Sequence, residues 1–362
     1  MWPDRRLIEL FKVEIPIVQA PMAGSVDWEL VAAVSEAGGL GSLPCAMMGP
    51  AQLREQMQKI RERTDKPVAV NFFCHTPPVP NNAREAAWRE SLAPYYRELA
   101  IDPAAPVPTS NRAPFDAALC ATVEEVRPDI VSFHFGLPEA ALLDRVKAAG
   151  CLVVSSATTV AEARFLERHG VDAIIAQGYE AGGHRGMFLT EAVAAQVGSF
   201  ALIPQVVDAV RVPVIAAGAV ADARSIAAAF ALGATGVQIG TAYLFCPEAK
   251  ISPAYRTALA NAEDDCTALT NLMTGRPARS IVNRLMRELE PLSSLPPEFP
   301  LSAGALAPLR AAAEAQGSGD FSPLWAGQAV SLARALPAAA LTRELAAGAL
   351  TLLQGLGRAA AP

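Results

Sequence analysis

Apolar residues cluster in eight short runs spread along the chain: Ile15–Ala20, Leu40–Leu43, Val68–Phe73, Ile130–Phe135, Leu152–Ser156, Ala173–Gln177, Val214–Ala217 and Val237–Gly240. Each run is apolar nearly throughout, the pattern of a parallel strand covered on both faces. Segments of helical periodicity lie between them: Trp28–Ala37, Ala51–Arg63, Glu139–Ala149, Val160–His169, Pro204–Val210 and Ala223–Leu232. Gly38-Gly39, Gly150, Gly170 and Gly233 sit just past helix ends, where a left-handed cap favours glycine. This alternation predicts an α/β fold, a closed TIM (β/α)8 barrel, with an open doubly wound sheet as the alternative.

Two segments interrupt the rhythm. Residues 74–114, after the third run, are rich in proline and carry a helix candidate near 82–99. Residues 246–304, after the eighth, read as helical and then proline-rich (ELEPLSSLPPEFP). In a barrel both emerge at the C-terminal ends of the strands, where active sites are built. The first is read as a lid-like insertion and the second as a small, mostly helical cap, with 1–245 and 305–362 forming the barrel. The Ala/Leu-rich C-terminus, broken by Arg334, Pro337, Arg343 and Glu344, reads as a packed amphipathic helix pair.

Composition narrows the function classes. The 362 residues are 52% hydrophobic and 18% charged, enough for one large core. A net charge of −6 with no basic run argues against nucleic acid as a partner. No apolar stretch has the length and purity of a membrane span, and MWPDRRLIELFKVEIP lacks the features of a signal peptide. The six cysteines, at 45, 74, 120, 151, 246 and 266, form no CxxC pair, which fits reduced thiols in a cytoplasmic protein. His75, His134, His169 and His184 share no metal-binding spacing, so no metal is expected. His169 ends a helix, where a cation suits the dipole.

Polar residues gather where the runs end. Gln19-Ala20-Pro21-Met22-Ala23-Gly24 is a small-residue turn able to lie against a ring. Asn71, His134, Ser155, Ser156 and Gln177 follow at later strand ends. The segment AIIAQGYEAGGHRG at 173–186 brings a strand into a glycine-rich loop bearing His184 and Arg185. Such a loop lets backbone approach a flat ligand or an anion, and its histidine is placed for hydrogen bonding or proton transfer. The last two runs finish in Ala217-Gly218-Ala219 and Gln238-Ile239-Gly240-Thr241. The loops after these two strands form the common phosphate site of such barrels, so a phosphate-bearing ligand is predicted.

These motifs together resemble the nitronate monooxygenases of the bacterial class I type. The carriers are QAPMAG (19–24), VNFF (70–73), SFHFG (132–136), AQGYEAGGHRG (176–186), VQIGTAYLF (237–245), TGRPARSIVNR (274–284) and SPLWAGQ (322–328). The resemblance implies a noncovalent FMN and oxidation of an alkyl nitronate by O2 to a carbonyl compound and nitrite. Pro21, Met22 and Ala23 would then lie at the flavin ring. Asn71, Gln177, Gly182 and Gly183 would hold it, and Gly218, Ala219, Gln238, Ile239, Gly240 and Thr241 would grip its phosphate end. His184 would be catalytic, its Nε2–H stabilising the nitronate, with His134 beside it. Ala219 departs from the family's usual glycine, and Ser280 stands where glycine is common. The alternatives are an NAD(P)H-dependent FMN reductase acting on quinones or enoyl thioesters, and a barrel that binds flavin without turnover. Exposed barrel helices leave room for a homodimer.

Overall fold

The computed structural model describes residues 1–359 apart from 105 and 109–111. Those four positions of the expected lid, and residues 360–362, lie outside the described residues. In chain order the strands are β1 (Ile17–Gln19), β2 (Gly41–Pro44), β3 (Val68–Phe73), β4 (Ile130–His134), β5 (Leu152–Ala157) and β6 (Ala173–Gln177). They are followed by β7 (Gly183–His184), β8 (Val214–Ala217), β9 (Gly236–Ile239), β10 (Thr267–Thr270) and β11 (Ala278–Ile281). Eight of these form one sheet in the order β1-β9-β8-β6-β5-β4-β3-β2, and every neighbouring pair is parallel. The remaining gap is bridged by Val18 and Leu40: Gln19 N donates to Leu40 O and Leu40 N to Ile17 O, each at 2.9 Å. The sheet therefore closes, and the open-sheet alternative falls.

Burial on both faces accounts for the unbroken apolar runs. One set of strand positions, among them Val18, Ala69, Val154 and Ile215, packs with Leu7 and Phe11 of the N-terminal helix Arg6–Phe11. The other set, including Ile17, Val70, Val153 and Val237, packs against the surrounding helices. The C-terminal helix Ala338–Ala359 lies against Trp28–Glu36 and Ala223–Ala231, covering the barrel after its last strand.

The structure differs from the sequence reading in four places. The C-terminus forms one long helix after a 3₁₀ turn at Val330–Leu332, because Pro337 falls before its first residue and Arg343 and Glu344 share its exposed side. The helix expected from Pro204 starts earlier, at Ser199. The segment 246–304 is only partly helical: β10 and β11 form an antiparallel ribbon there, and β7 joins it through the pairs Ala278–His184 and Arg279–Gly183. The two insertions also meet. Helix Asn82–Glu98 packs against helix Ser302–Ala315 in a second apolar cluster around Trp88, Leu92, Leu272, Leu285 and Leu309. Trp88 Nε1 donates to Ser302 O at 3.2 Å and the Tyr96 hydroxyl to Ala305 O at 2.6 Å, so the polar atoms of these aromatics are satisfied. Residues 305–315 thus pack with the insertions, although the sequence grouped them with the barrel.

Candidate active site

A cavity opens at the C-terminal ends of the barrel strands. Its wall includes Pro21, Met22, Ala23, Asn71, His134, Gln177, Gly182, Gly183, His184, Gly218, Ala219, Gln238, Gly240 and Thr241. The sequence-predicted residues thus converge, except Ser155, whose hydroxyl turns to the carbonyls of Phe133 and Gly136, and Ile239. Ile239 faces the hydrophobic core, and its carbonyl accepts from Ala20 N at 2.8 Å, because alternate residues of a strand point to opposite faces.

The glycine-rich loop is held from behind by buried charge. Arg185 is fully buried and donates to the carbonyls of Gly178 (2.6 Å) and Gln177 (2.8 Å) and to Gln196 Oε1 (3.0 Å). Arg279 forks onto the Tyr179 carbonyl at 3.0 and 3.2 Å and stacks on its ring. Glu162, also fully buried, accepts from the backbone N–H of Phe188 (2.6 Å) and Leu189 (3.1 Å), fixing the loop's far end. Sequence reasoning noted Arg185 without a role and missed Arg279 and Glu162, whose positions carry no motif-level signal of burial. Gly182 is required by close approach, since a Cβ there would lie 2.6 Å from Gly327 N.

The side chain of Gln177 spends both ends on this loop. Its Nε2 donates to the His184 carbonyl at 2.9 Å, and its Oε1 accepts from Gly186 N at 2.7 Å. His134 is similarly committed: Nε2 meets the His184 carbonyl at 3.2 Å and Nδ1 meets Ser156 Oγ at 2.6 Å. Both residues line the cavity, and both are hydrogen-bonded to the backbone carbonyl of His184. His184 itself places Nε2 2.9 Å from Thr274 Oγ1. The expected Nε2–H aimed at a ligand is therefore not what the geometry offers, because a side chain from the 246–304 insertion already occupies that nitrogen.

Burial, followed by the charge of Arg112 and then by His134 and Arg276, holds the His184 pKa well below its ordinary value. Burial pushes His134 down to about 3, and His75, enclosed by Phe73, Phe135 and Phe299, down to about 4. All three rings are neutral near pH 7. Their folded pKa values lie below that of an unfolded histidine, so the unfolded chain binds more protons between about pH 6.5 and 4. Stability is therefore fully present above that window and lost as the pH falls through it, by up to about 1.4 kcal/mol per pH unit for each histidine. Urea titrations from pH 7 to 4.5 should show this decline, with a shallower slope for His75→Gln.

At the other end of the cavity, the backbone N–H groups of Ala219, Val220, Gly240 and Thr241 have no acceptor among the described hydrogen bonds. Gly182 N shares this property near the middle of the cavity. The Thr241 hydroxyl accepts from Gly327 N at 3.0 Å, which leaves its own proton to give. Orphaned, converging amides are the donor set of an oxyanion or phosphate site. Gly218 and Ala219 reach this geometry with φ of 102° and 56°. For alanine a left-handed backbone costs about 1–2 kcal/mol. Ala219→Gly removes that strain at the expense of some unfolded-state entropy, for an expected gain of about 0.5–1 kcal/mol in urea unfolding.

His169 lies apart from the cavity, with Nδ1 on the Phe165 carbonyl at 2.8 Å and its ring stacked on Phe165. Among the described residues no group of three His, Cys, Asp or Glu could hold a metal, and no helix is long and apolar enough to cross a membrane.

Comparison with known proteins adds to this geometry. The family described as "Nitronate monooxygenase" matches residues 4–348. The nitronate monooxygenase of Paraburkholderia phytofirmans is 44% identical over 345 residues, covering 94% of this chain and 94% of that one. That of Pseudomonas aeruginosa is 43% identical over 344 residues, covering 94% and 97%. Among solved structures, a nitroalkane oxidase from Streptomyces ansochromogenes aligns with a TM-score of 0.88 at 37% identity, covering 97% and 99% of the two chains. FabK from Thermotoga maritima aligns at 0.75 and 28% identity, covering 98% and 99%.

Proposed function

This chain belongs to the nitronate monooxygenase family, a class of flavin-dependent oxidoreductases, and we propose that with bound FMN it converts an alkyl nitronate and O2 to a carbonyl compound and nitrite. The observation that carries the reading is the charge of the cavity. Arg112 lines it beside the neutral rings of His134 and His184, and no carboxylate does among the described residues. A nitronate is a preformed delocalised anion, so its site needs donors and positive potential more than a strong base.

The residues present fit the cofactor. The unpartnered amides of Ala219, Val220, Gly240 and Thr241 suit its phosphate, while Pro21–Ala23 and Gly182 offer a low wall and an N–H for the ring. When bound, FMN supplies the electron transfer between substrate and O2. The chain supplies position: His184 donates to a nitronate oxygen, and Gln177 and His134 hold its backbone in place. Trp325, with ring centroids 5.3 Å from His184, helps to keep water from that side.

The test is spectroscopic. The purified protein should show flavin absorbance, bleach on anaerobic mixing with propionate 3-nitronate, and release nitrite when air is admitted. A protein that bleaches with NADH and not with nitronate would overturn this reading in favour of a flavin reductase. A preparation that takes up no FMN would overturn it altogether.

A further inference from the structure

We propose that Thr274 sets the tautomer of His184, giving its hydroxyl proton to Nε2 so that Nδ1–H becomes the donor presented to the ligand. The consequence for catalysis rests on the reading that the cavity takes a nitronate; the tautomer itself does not.

One proton is shared between the hydroxyl and the ring. Thr274 Oγ1 lies 2.9 Å from His184 Nε2 and 3.5 Å from the Arg276 carbonyl, and the residue is 1% exposed. Hydroxyl hydrogen bonds cluster near 2.7–2.8 Å and are weak at the longer distance. If Nε2 carried the proton, it would donate to the hydroxyl, and the hydroxyl would be left with the distant carbonyl. A buried donor so poorly satisfied costs about 1–3 kcal/mol, which the opposite assignment avoids. The turn cannot slide to exchange partners. Gly275 has φ of 90°, and a Cβ built on it would lie 2.3 Å from the Pro297 carbonyl, so this backbone is tightly packed.

His134 makes a useful contrast. Its Nε2 faces a carbonyl, which can only accept, so Nε2 bears the proton and Nδ1 accepts from Ser156. The two neighbouring rings thus hold opposite tautomers, each with a hydroxyl on its unprotonated nitrogen. The charged and titratable groups facing His184 are Arg112, His134, Arg276 and His75, none of them acidic, so the ring stays neutral and its tautomer decides its chemistry. Nδ1 has no protein partner among the described hydrogen bonds, on a side chain that lines the cavity. In this tautomer His184 offers the ligand an N–H and no lone pair. It stabilises an existing anion and does not remove an α-proton from a neutral nitroalkane. Thr274 acts through His184 and is a positioning residue.

The test uses the flavin-loaded enzyme labelled with ¹⁵N-histidine, whose four histidines are assigned by loss of one set of signals in His184→Leu. Two-bond and three-bond ring correlations should report Nδ1 protonated in wild type. Thr274→Val should shift the ring toward Nε2–H and lower kcat/KM for nitronate about tenfold, the scale of one hydrogen bond, mostly through kcat. Thr274→Ser should restore both. As an independent arm, His184→Asn, whose amide nitrogen falls near the Nδ1 position, should retain more nitronate turnover than His184→Gln. An Nε2–H tautomer in wild type overturns the proposal even if Thr274→Val does not fold, as does a Thr274→Val enzyme with unchanged tautomer and rate. Absence of nitronate turnover in wild type would instead strike the functional reading and leave the tautomer measurement standing.

Discussion

His184→Leu is expected to bind FMN normally yet lose about 10²–10³ of kcat/KM for nitronate, the usual consequence of deleting one preorganised donor to a developing or resident anion. The separation of binding from turnover follows from how the loop is held. Gln177 Nε2 and His134 Nε2 both contact the backbone carbonyl of residue 184, not its ring, and β7 pairs with β11 through backbone. Removing the imidazole therefore leaves the loop in place. The orphaned amides proposed for the cofactor's phosphate lie just after β8 and β9, away from this loop. Stopped-flow bleaching with propionate 3-nitronate, beside a flavin-to-protein ratio from the absorption spectrum, checks both halves. A rate within threefold of wild type would remove the histidine from the chemistry.

Arg185→Met should be the most destabilising single change near the site, by about 3–5 kcal/mol, because buried acceptors left without donors cost about 1–3 kcal/mol each. Methionine can fill much of the volume, but it cannot serve the Gln177 carbonyl or the Gln196 amide oxygen, both held by one fully buried guanidinium, and it leaves the Gly178 carbonyl with only Ala181 N at 3.1 Å. Arg185→Lys keeps the charge and loses the planar fork, so it should recover only a minor part of the loss. Urea unfolding of the three proteins distinguishes the contributions. If lysine restores wild-type stability, charge and not geometry is what the loop requires.

The barrel was legible because burial on both faces erases polar alternation, leaving runs such as Val68–Phe73 with little ambiguity. The site was legible to the extent that it consists of strand ends: Asn71, Gln177, Gly218 and Gly240 reach the cavity because the strands before them end at one rim. What the sequence could not supply was partnership across long separations. Thr274 meets His184 over ninety positions of chain, and Arg279 meets Tyr179 over one hundred. The β10–β11 ribbon escaped notice because ALT and RSI are too short to show a period. Ile239 was assigned to the site with Gln238, its neighbour on β9, and a strand cannot turn two consecutive side chains to one face. Ala219 stands where the resemblance leads one to expect glycine, and a Cβ disfavours a left-handed backbone. The structure adopts that conformation all the same, which makes the loop strained and not differently shaped.

The ribbon in which β7 is a strand ties His184 to the segment that carries Thr274. The two form one mechanical unit: that segment cannot be rebuilt without moving the imidazole it holds. Exchange of residues 267–281 between relatives should consequently displace the imidazole even where every strand of the barrel is left untouched.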